Sequence, residues 1–123
     1  MCGIVGHIGN GNSAEILIEG LKRLEYRGYD SSGIALLHGD KLVVEKAVGK
    51  LKNLVDAIDG KELMGSVGIG HTRWATHGGV TQLNAHPHTS SDRVVVVHNG
   101  IIENYRDLRK KLSELGHEFV SDT

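Results

Sequence analysis

Apolar and polar positions follow two rhythms along the chain, one typical of strands and one typical of helices. Leu17, Leu21 and Leu24 succeed one another at the spacing of a single helical face. They predict an amphipathic helix that begins after the N-cap Asn12 and ends near Tyr26. Short β-branched stretches, punctuated by glycine, follow the strand rhythm elsewhere. The pattern therefore predicts a fold of the α+β class.

The remaining elements follow from the same two rhythms. The four valines 94–97 predict a strand that is buried on both faces. Residues 75–92 show neither rhythm, and a loop of this length in a small domain is usually functional or mobile. We treat residues 1–123 as one domain. Its other predicted elements are strands over 2–8, 33–37, 42–48, 66–74 and 117–121, and helices from Leu51 to Gly60 and from Asn104 to Gly116.

Composition narrows the class of protein. The chain has 123 residues, of which 14 are basic and 15 acidic, so its net charge is −1. Such a balance does not favour binding to nucleic acid or to an anionic membrane. No run of 18 apolar residues and no secretory signal pattern occurs. With a single cysteine, no disulfide can form within the chain, and we expect a soluble protein of the reducing cytoplasm.

The single cysteine directly follows Met1. A cysteine in an apolar strand is usually a small buried hydrophobic residue. Removal of Met1 would instead leave Cys2 with a free α-amino group, so that one residue would hold both a nucleophile and a base. The position of Cys2 alone does not decide between a buried hydrophobic residue and a nucleophile.

Two polar positions near predicted strand ends are candidates for substrate binding. Asn99 and Gly100 either form a hairpin turn or supply an amide and a backbone N–H that hold an oxyanion. Arg73 either forms a surface ion pair or grips a carboxylate through two N–H groups. The neighbouring Trp74 is the only tryptophan, and a large ring at such a junction is more often part of the core than a gate.

Eight histidines make a metal site conceivable. The segment His86-Pro87-His88 could present two imidazoles on one side of an extended chain. No helical zinc motif and no second cysteine accompany them, so the simpler interpretation is that loop histidines bond backbone groups. A metal- or ligand-binding module nevertheless remains the alternative to an enzyme. No metal and no cofactor is assigned.

Taken together, five ordered blocks of the sequence resemble a known family. The chain looks like the start of a class II glutamine amidotransferase domain, and within that group it resembles the glucosamine-6-phosphate synthase branch. A Cys-Gly-Ile opening alone would be a weak signal, whereas five blocks in the family's order are specific. The blocks are CGIVG at 2–6, LEYRGYDS at 24–31, HTRWATHG at 71–78, NAHPH at 84–88 and HNGIIEN at 98–104.

The resemblance implies a fold and an activity. The fold would be that of the N-terminal nucleophile hydrolases, a four-layer αββα sandwich that is incomplete in this chain. The activity would be hydrolysis of glutamine to glutamate and ammonia, with transfer of the ammonia to fructose 6-phosphate to give glucosamine 6-phosphate. The sugar would bind to domains that this sequence lacks, and the full-length enzyme is expected to be a homo-oligomer.

The resemblance also implies roles for the residues that react with glutamine. Cys2 would attack the side-chain amide, with its own freed α-amino group as the base. Asn99 and the Gly100 N–H would form the oxyanion hole, and Arg73 would bind the substrate α-carboxylate. These roles agree with the functional interpretation of the same residues given above.

The resemblance assigns roles to five further residues, and for Trp74, His86 and Arg27 it is the only basis for the role. Thr76 and His77 would line the glutamine pocket beside the arginine, and Trp74 looks like the gate of an ammonia path. His86 would belong to a loop that closes over the site, and Arg27 would support the site from below the cysteine.

The sequence departs from the family pattern in two places. Val80 stands where the family often has proline, which is a minor loop change. The family also continues beyond the equivalent of Thr123 with an aspartate that holds the glutamine ammonium group. We therefore expect this sequence to be the N-terminal portion of a larger glutaminase domain and to be a poor enzyme alone.

Overall fold

The computed structural model describes residues 1–123, and its elements match most of those that the sequence predicts. The predicted first helix ends at Leu24 and continues as a single 3-10 turn over Glu25–Arg27. The strands are β1 (Gly3–Ile8), β2 (Ser31–His38), β3 (Lys41–Val48), β4 (Val67–Arg73), β5 (His88–Ser90) and β6 (Val94–Val96), and the helices are α1 (Ser13–Leu24), α2 (Leu51–Ile58) and α3 (Tyr105–Glu114).

The first four strands form one antiparallel sheet in the order β1-β4-β2-β3. Gly3 lies opposite Thr72, and Ser31 lies opposite Arg73. The start of β1 and the start of β2 therefore both lie at the end of the sheet where β4 finishes. This register brings Cys2 beside the Arg73–Trp74 segment, although about 70 residues separate them in sequence.

Helices α1 and α2 pack on one face of this sheet and enclose the core. The N-cap prediction is confirmed, since the Asn12 side chain accepts a hydrogen bond from the Ala14 amide at 3.0 Å. Gly68 and Gly70 of β4 lie beneath α1, where an added Cβ would meet Leu17 at 2.8 Å or Leu21 at 3.1 Å. Removing apolar side chains from water supplies most of the stability of such a core. Its buried members are Ala14, Leu17, Ile18, Leu21, Ile34, Leu36, Leu51 and Leu54.

The second sheet contains only β5 and β6, and it corrects two predictions. The sequence predicts a loop over 75–92, but residues 88–90 within it form β5. Three residues are too few to show an alternation of apolar and polar positions. The valine strand is not buried on both faces: Val94 is 60% exposed and Val96 53%. Val95 faces the first sheet across a cavity, and no other part of this chain covers the opposite side.

The last part of the chain also departs from the sequence prediction. Helix α3 begins after Asn104 as expected, but that side chain makes no capping hydrogen bond and no residue of the helix is buried. Residues 117–121 do not form the predicted strand, since no neighbouring strand pairs with them. A strand pattern needs a partner to supply its backbone hydrogen bonds. No helix of the chain has the length and apolar character needed to cross a bilayer.

Candidate functional site

Cys2 lies just before β1, at the end of the first sheet where β4 finishes. It is half-buried, and polar groups from three other segments surround it. The Trp74 backbone N–H donates to its Sγ at 3.4 Å. Its backbone nitrogen donates to Oδ1 of Asn99 at 3.4 Å, across 97 residues of sequence. Its carbonyl oxygen accepts a hydrogen bond from Nε of Arg27 at 3.2 Å. The cysteine is therefore not a buried core residue but the centre of a polar cluster.

Asn99 and Gly100 face solvent next to the cysteine. No strand follows at 101–102, so the hairpin-turn interpretation of this pair is wrong. Because Oδ1 of Asn99 accepts from Cys2, the Nδ2 group of the same amide is left to donate elsewhere. Gly100 has φ +156°, and an added Cβ would meet the His98 ring at 3.0 Å. The Asn99 side chain therefore lies next to the backbone nitrogen of Cys2, and Gly100 follows it directly in sequence.

Arg73 is buried, with 4% exposure, and is not the surface ion pair that one interpretation expected. Its guanidinium donates to the carbonyl oxygens of His77 at 2.6 Å and Gly79 at 3.0 Å, and more weakly to that of Gly78 at 3.4 Å. These bonds use only part of the five N–H donors that a guanidinium carries. The arginine therefore organises the loop that follows β4 and keeps N–H donors that the loop carbonyls do not use.

Asp30 is a site residue that the sequence reasoning did not single out. Its carboxylate accepts a short hydrogen bond from the Ala75 N–H and lies 3.9 Å from Arg73. Its backbone N–H donates to the Arg73 carbonyl at 3.3 Å. Asp30 thereby fixes the turn at the end of β4, which aims the Trp74 N–H at the thiol. The only available signal was its place in the second family block.

The other predicted site residues occupy different positions around this centre. Trp74 is 46% exposed and meets the Tyr29 ring edge-on at 5.8 Å, so it is not a core residue. Thr76 is exposed and bonds no other residue. His77 is exposed, with Nε2 at 3.2 Å from the Asp122 carbonyl oxygen and its ring 4.9 Å from that of Tyr105.

The segment around Asn84 joins the end of the chain to the loop after β4. Asn84 is fully buried, and its side chain bonds both the backbone N–H of Asp122 at 2.8 Å and the Asp122 carboxylate at 3.0 Å. It also donates to the Gly79 carbonyl at 3.0 Å. Sequence reasoning did not single out Asn84 or Asp122, because nothing local marks such a long-range contact.

His86 lies in a stack of imidazoles instead of facing open solvent. Its ring stacks on that of His71 at 4.2 Å and meets that of His88 edge-on at 4.4 Å. Burial is the main cause that lowers the pKa of His71 to about 4, of His86 to about 3 and of His88 to about 4. The nearby positive charge of Arg73 acts in the same direction on all three.

Two of these three histidines bond backbone groups, as the simpler of the two interpretations predicts, and the third bonds a side-chain hydroxyl. His71 and His86 both bond the backbone of His98, and His88 bonds the hydroxyl of Thr123. No group of three or more histidine, cysteine, aspartate or glutamate side chains is arranged to hold a metal ion.

Comparisons with known proteins relate this chain to one family of sequences. Residues 39–123 match the family described as glutamine amidotransferase domain. The whole chain is 59% identical to part of a glutamine–fructose-6-phosphate aminotransferase [isomerizing] from Acinetobacter baylyi, covering 20% of that protein. It is 54% identical to the enzyme of the same name from Pyrococcus horikoshii, covering 21%. The chain thus spans about a fifth of the length of these curated relatives.

Solved structures give the fold. A glutamine phosphoribosylpyrophosphate amidotransferase from B. subtilis, in complex with ADP and GMP, superposes with a TM-score of 0.84 at 26% identity, over all of this chain and 27% of that one. A structure described as the allosteric regulatory enzyme of purine biosynthesis gives 0.82 at 28% identity, over 98% and 27%. They confirm the predicted N-terminal nucleophile hydrolase class, of which this chain holds an incomplete domain. The chain belongs to the glutamine amidotransferase domain family.

Proposed function

We propose that this chain forms the part of a glutamine–fructose-6-phosphate aminotransferase that hydrolyses glutamine, with Cys2 as its nucleophile. The observation that carries the proposal is the position of the cysteine. Its Sγ accepts a hydrogen bond from the Trp74 N–H at 3.4 Å, and its backbone nitrogen lies 3.4 Å from Oδ1 of Asn99. In this proposal Cys2 supplies both the nucleophile and the base, and Asn99 with Gly100 supplies the two oxyanion donors from a segment 97 residues further along the chain.

The base in this proposal is the nitrogen of Cys2 itself. Removal of Met1 turns that backbone nitrogen into a primary amine on the same residue as the thiol. The amine takes the thiol proton as sulfur attacks the side-chain carbonyl carbon of glutamine. Its hydrogen bond to Asn99 then orients the amine. No other side chain within hydrogen-bonding distance of Sγ offers a base, since its two contacts are the backbone groups of Trp74.

The proposed reaction has two steps. In the first, the tetrahedral oxyanion accepts hydrogen bonds from Nδ2 of Asn99 and the N–H of Gly100, and its collapse expels ammonia, which leaves with the proton held by the amine. A thioester to Cys2 remains. In the second, water attacks this thioester and releases glutamate, and the thiol regains its proton. No metal or cofactor takes part in either step.

The glutamine pocket in this proposal lies between Cys2 and the loop after β4. Arg73 grips the substrate α-carboxylate with the N–H donors that the loop carbonyls leave free. Thr76 and His77 line the same pocket from their exposed positions, Trp74 gates the exit of ammonia, and His86 belongs to the segment that closes the site. Arg27 supports the site through its bond to the Cys2 carbonyl at 3.2 Å.

The transfer step needs more protein than this chain contains. The curated relatives are about five times as long, and we propose that their further length includes the site for fructose 6-phosphate. Ammonia released at Cys2 would convert that sugar phosphate to glucosamine 6-phosphate. We also propose that the complete enzyme is a cytoplasmic homo-oligomer, which fits a chain with one unpaired cysteine.

The first test replaces the nucleophile. In the complete enzyme, we expect Cys2→Ala to abolish the release of glutamate and ammonia from glutamine, and a glutamine analogue with an electrophilic side chain to label Cys2 stoichiometrically. An uncleaved N-terminal extension should be just as inactive, because it removes the free amine and leaves the thiol in place. Intact-protein mass verifies removal of Met1. Full activity of either variant would overturn the proposal.

A second test separates the two binding roles. Loss of one oxyanion donor lowers kcat by roughly 10²–10³-fold, so Asn99→Ala should do so with little change in KM. Arg73→Ala should mainly raise KM, because a carboxylate grip acts in the ground state and the transition state alike. The reverse pattern would show that the two roles are wrongly assigned.

A further inference from the structure

Two imidazoles from distant parts of the chain hold the backbone of His98. Nε2 of His71 lies 3.1 Å from the His98 carbonyl oxygen, and the His98 N–H donates to Nδ1 of His86 at 3.3 Å. Both polar groups of one residue are therefore bonded by side chains, although the residue lies outside any helix or strand. The next residue is Asn99, the proposed oxyanion donor.

These bonds fix the protonation of both rings. A carbonyl oxygen can only accept a hydrogen bond, so Nε2 of His71 carries the proton. An amide N–H can only donate, so Nδ1 of His86 is unprotonated. Nδ1 of His71 is buried without a partner, which suits an unprotonated nitrogen. Burial keeps both rings neutral near pH 7, since it lowers the pKa of each well below that range. The rings stack at 4.2 Å with an interplanar angle of 19°.

Both imidazoles belong to well-anchored segments. His71 is fully buried in β4, where it pairs with Ile4 on one side and with Gly33 on the other. The residue before His86 is held by Lys46, whose Nζ donates to the Ala85 carbonyl at 2.9 Å. The Asn99 segment has no regular secondary structure of its own. Its position next to the thiol therefore depends on contacts with the rest of the molecule.

We propose that His71 and His86 are positioning residues that orient the Asn99 amide toward the oxyanion by holding the His98 backbone between them. The proposal rests on the proposed glutaminase function. Because an oxyanion donor acts mainly in the transition state, loosening this clamp lowers kcat more than it changes KM. A displacement of about 1 Å in such a group is enough to cost roughly 10²-fold in rate.

The test compares two substitutions of one residue. His71→Leu removes the donor to the His98 carbonyl, and we expect kcat for glutamine hydrolysis to fall about 10- to 100-fold with KM within about twofold. His71→Gln keeps an N–H donor near the same place and should restore most of that loss. The matched control is His38→Gln, which changes a histidine whose ring also contacts a backbone carbonyl, that of Met64 at 2.7 Å, in the hairpin between β2 and β3. Its kinetic constants should stay unchanged.

A spectroscopic measurement tests the clamp without relying on turnover. Imidazole nitrogen spectra of the unsubstituted chain at pH 7 should show His71 and His86 as Nε2–H tautomers. The His98 amide should be protected from hydrogen exchange by its bond to Nδ1 of His86, and loosening of the clamp in His71→Leu should lower that protection. The proposal would be overturned if His71→Leu raised KM instead of lowering kcat, or if its kcat equalled that of the unsubstituted protein. An Nδ1–H tautomer at either histidine would overturn it as well. Inactivity of the complete enzyme would count against the proposed function itself, since the 123-residue chain alone is expected to be a poor enzyme, and the tautomers would still decide whether the clamp exists.

Discussion

At the scale of single residues, the site combines a half-exposed thiol with imidazoles that burial keeps neutral. His71 is completely buried, and burial is the main cause that lowers its pKa from 6.5 to about 4. The bond to the His98 carbonyl and the charge of Asp30 raise this pKa, and the charges of His88 and Arg73 lower it further. Nε2 of His71 donates to the His98 carbonyl, and the buried Nδ1 has no partner that could accept a second proton. A neutral ring satisfies both conditions. The same burial has a consequence for stability.

We expect the chain to lose stability between pH 7 and pH 5. The pKa of His71 is lower in the folded state than in the unfolded state, so the unfolded state binds more protons in this range, and acid favours unfolding. His71 alone should contribute a loss of about 2 kcal/mol at pH 5, and the effect levels off below its folded pKa. Urea unfolding at both pH values measures it. His71→Gln removes the titrating group, and an equally steep pH dependence in that variant would show that other groups are responsible.

At the scale of elements, glycines let the segment around His86 approach the first sheet. A Cβ at Gly33 of β2 would lie 2.2 Å from the His86 carbonyl oxygen. A Cβ at Gly28 would lie 2.6 Å from the Arg73 carbonyl carbon. Both contacts are with backbone atoms, which cannot move aside as a flexible side chain would. The close approach of segments at the site therefore depends on the absence of side chains at these two positions.

Gly33→Ala should move the His86 segment away from the sheet and destabilise the fold by about 1–3 kcal/mol, the usual cost of overpacking. The matched control is Gly6→Ala in β1, where an added Cβ meets nothing within 4 Å. That variant should stay within about 0.5 kcal/mol of the unsubstituted chain, as surface changes usually do. Urea unfolding of the two variants measures the difference. Equal stability would mean that the His86 segment is not held against β2 in solution.

At the scale of the whole molecule, the apolar residues are unevenly covered. One face of the first sheet carries α1 and α2 and encloses the core. The second sheet has two strands, and Val94 and Val96 of β6 lie on its uncovered face. Helix α3 buries none of its residues. Unpaired strand edges and exposed apolar faces both favour association between molecules.

We expect this 123-residue chain to bind a fluorescent apolar dye and to associate as its concentration rises. Replacing Val94 and Val96 together by threonine keeps their shape and β-propensity and should lower both signals. Val80→Thr is the matched control, because Val80 is 47% exposed in a loop without a neighbouring apolar strand residue. Dye fluorescence and light scattering on a sizing column measure the effect. Equal changes in the loop variant and the double variant would show that the β6 face is not responsible.

The sequence by itself determined most of the local elements and marked the residues that we propose carry the chemistry. Helical spacing after Asn12 located α1, and the position of the cysteine directly after Met1 marked the nucleophile candidate. Both signals are local, since helix spacing and residue order need no knowledge of distant contacts. The ordered blocks then identified the family, because each block keeps several residue types at fixed spacing.

Only the tertiary structure decided which of these residues meet and which apolar runs are buried. The valines of β6 have the pattern of a buried strand, but burial depends on a covering layer that the pattern cannot reveal. Residues 117–121 have a strand pattern without a partner strand. The bonds of Asp30 to Ala75 and of His71 to His98 join segments that are far apart in sequence. The register of β2 on β4 brings the first pair together, and the second joins β4 to a segment outside any strand. Such contacts follow from the packing of the whole chain, so no local spacing could have shown them.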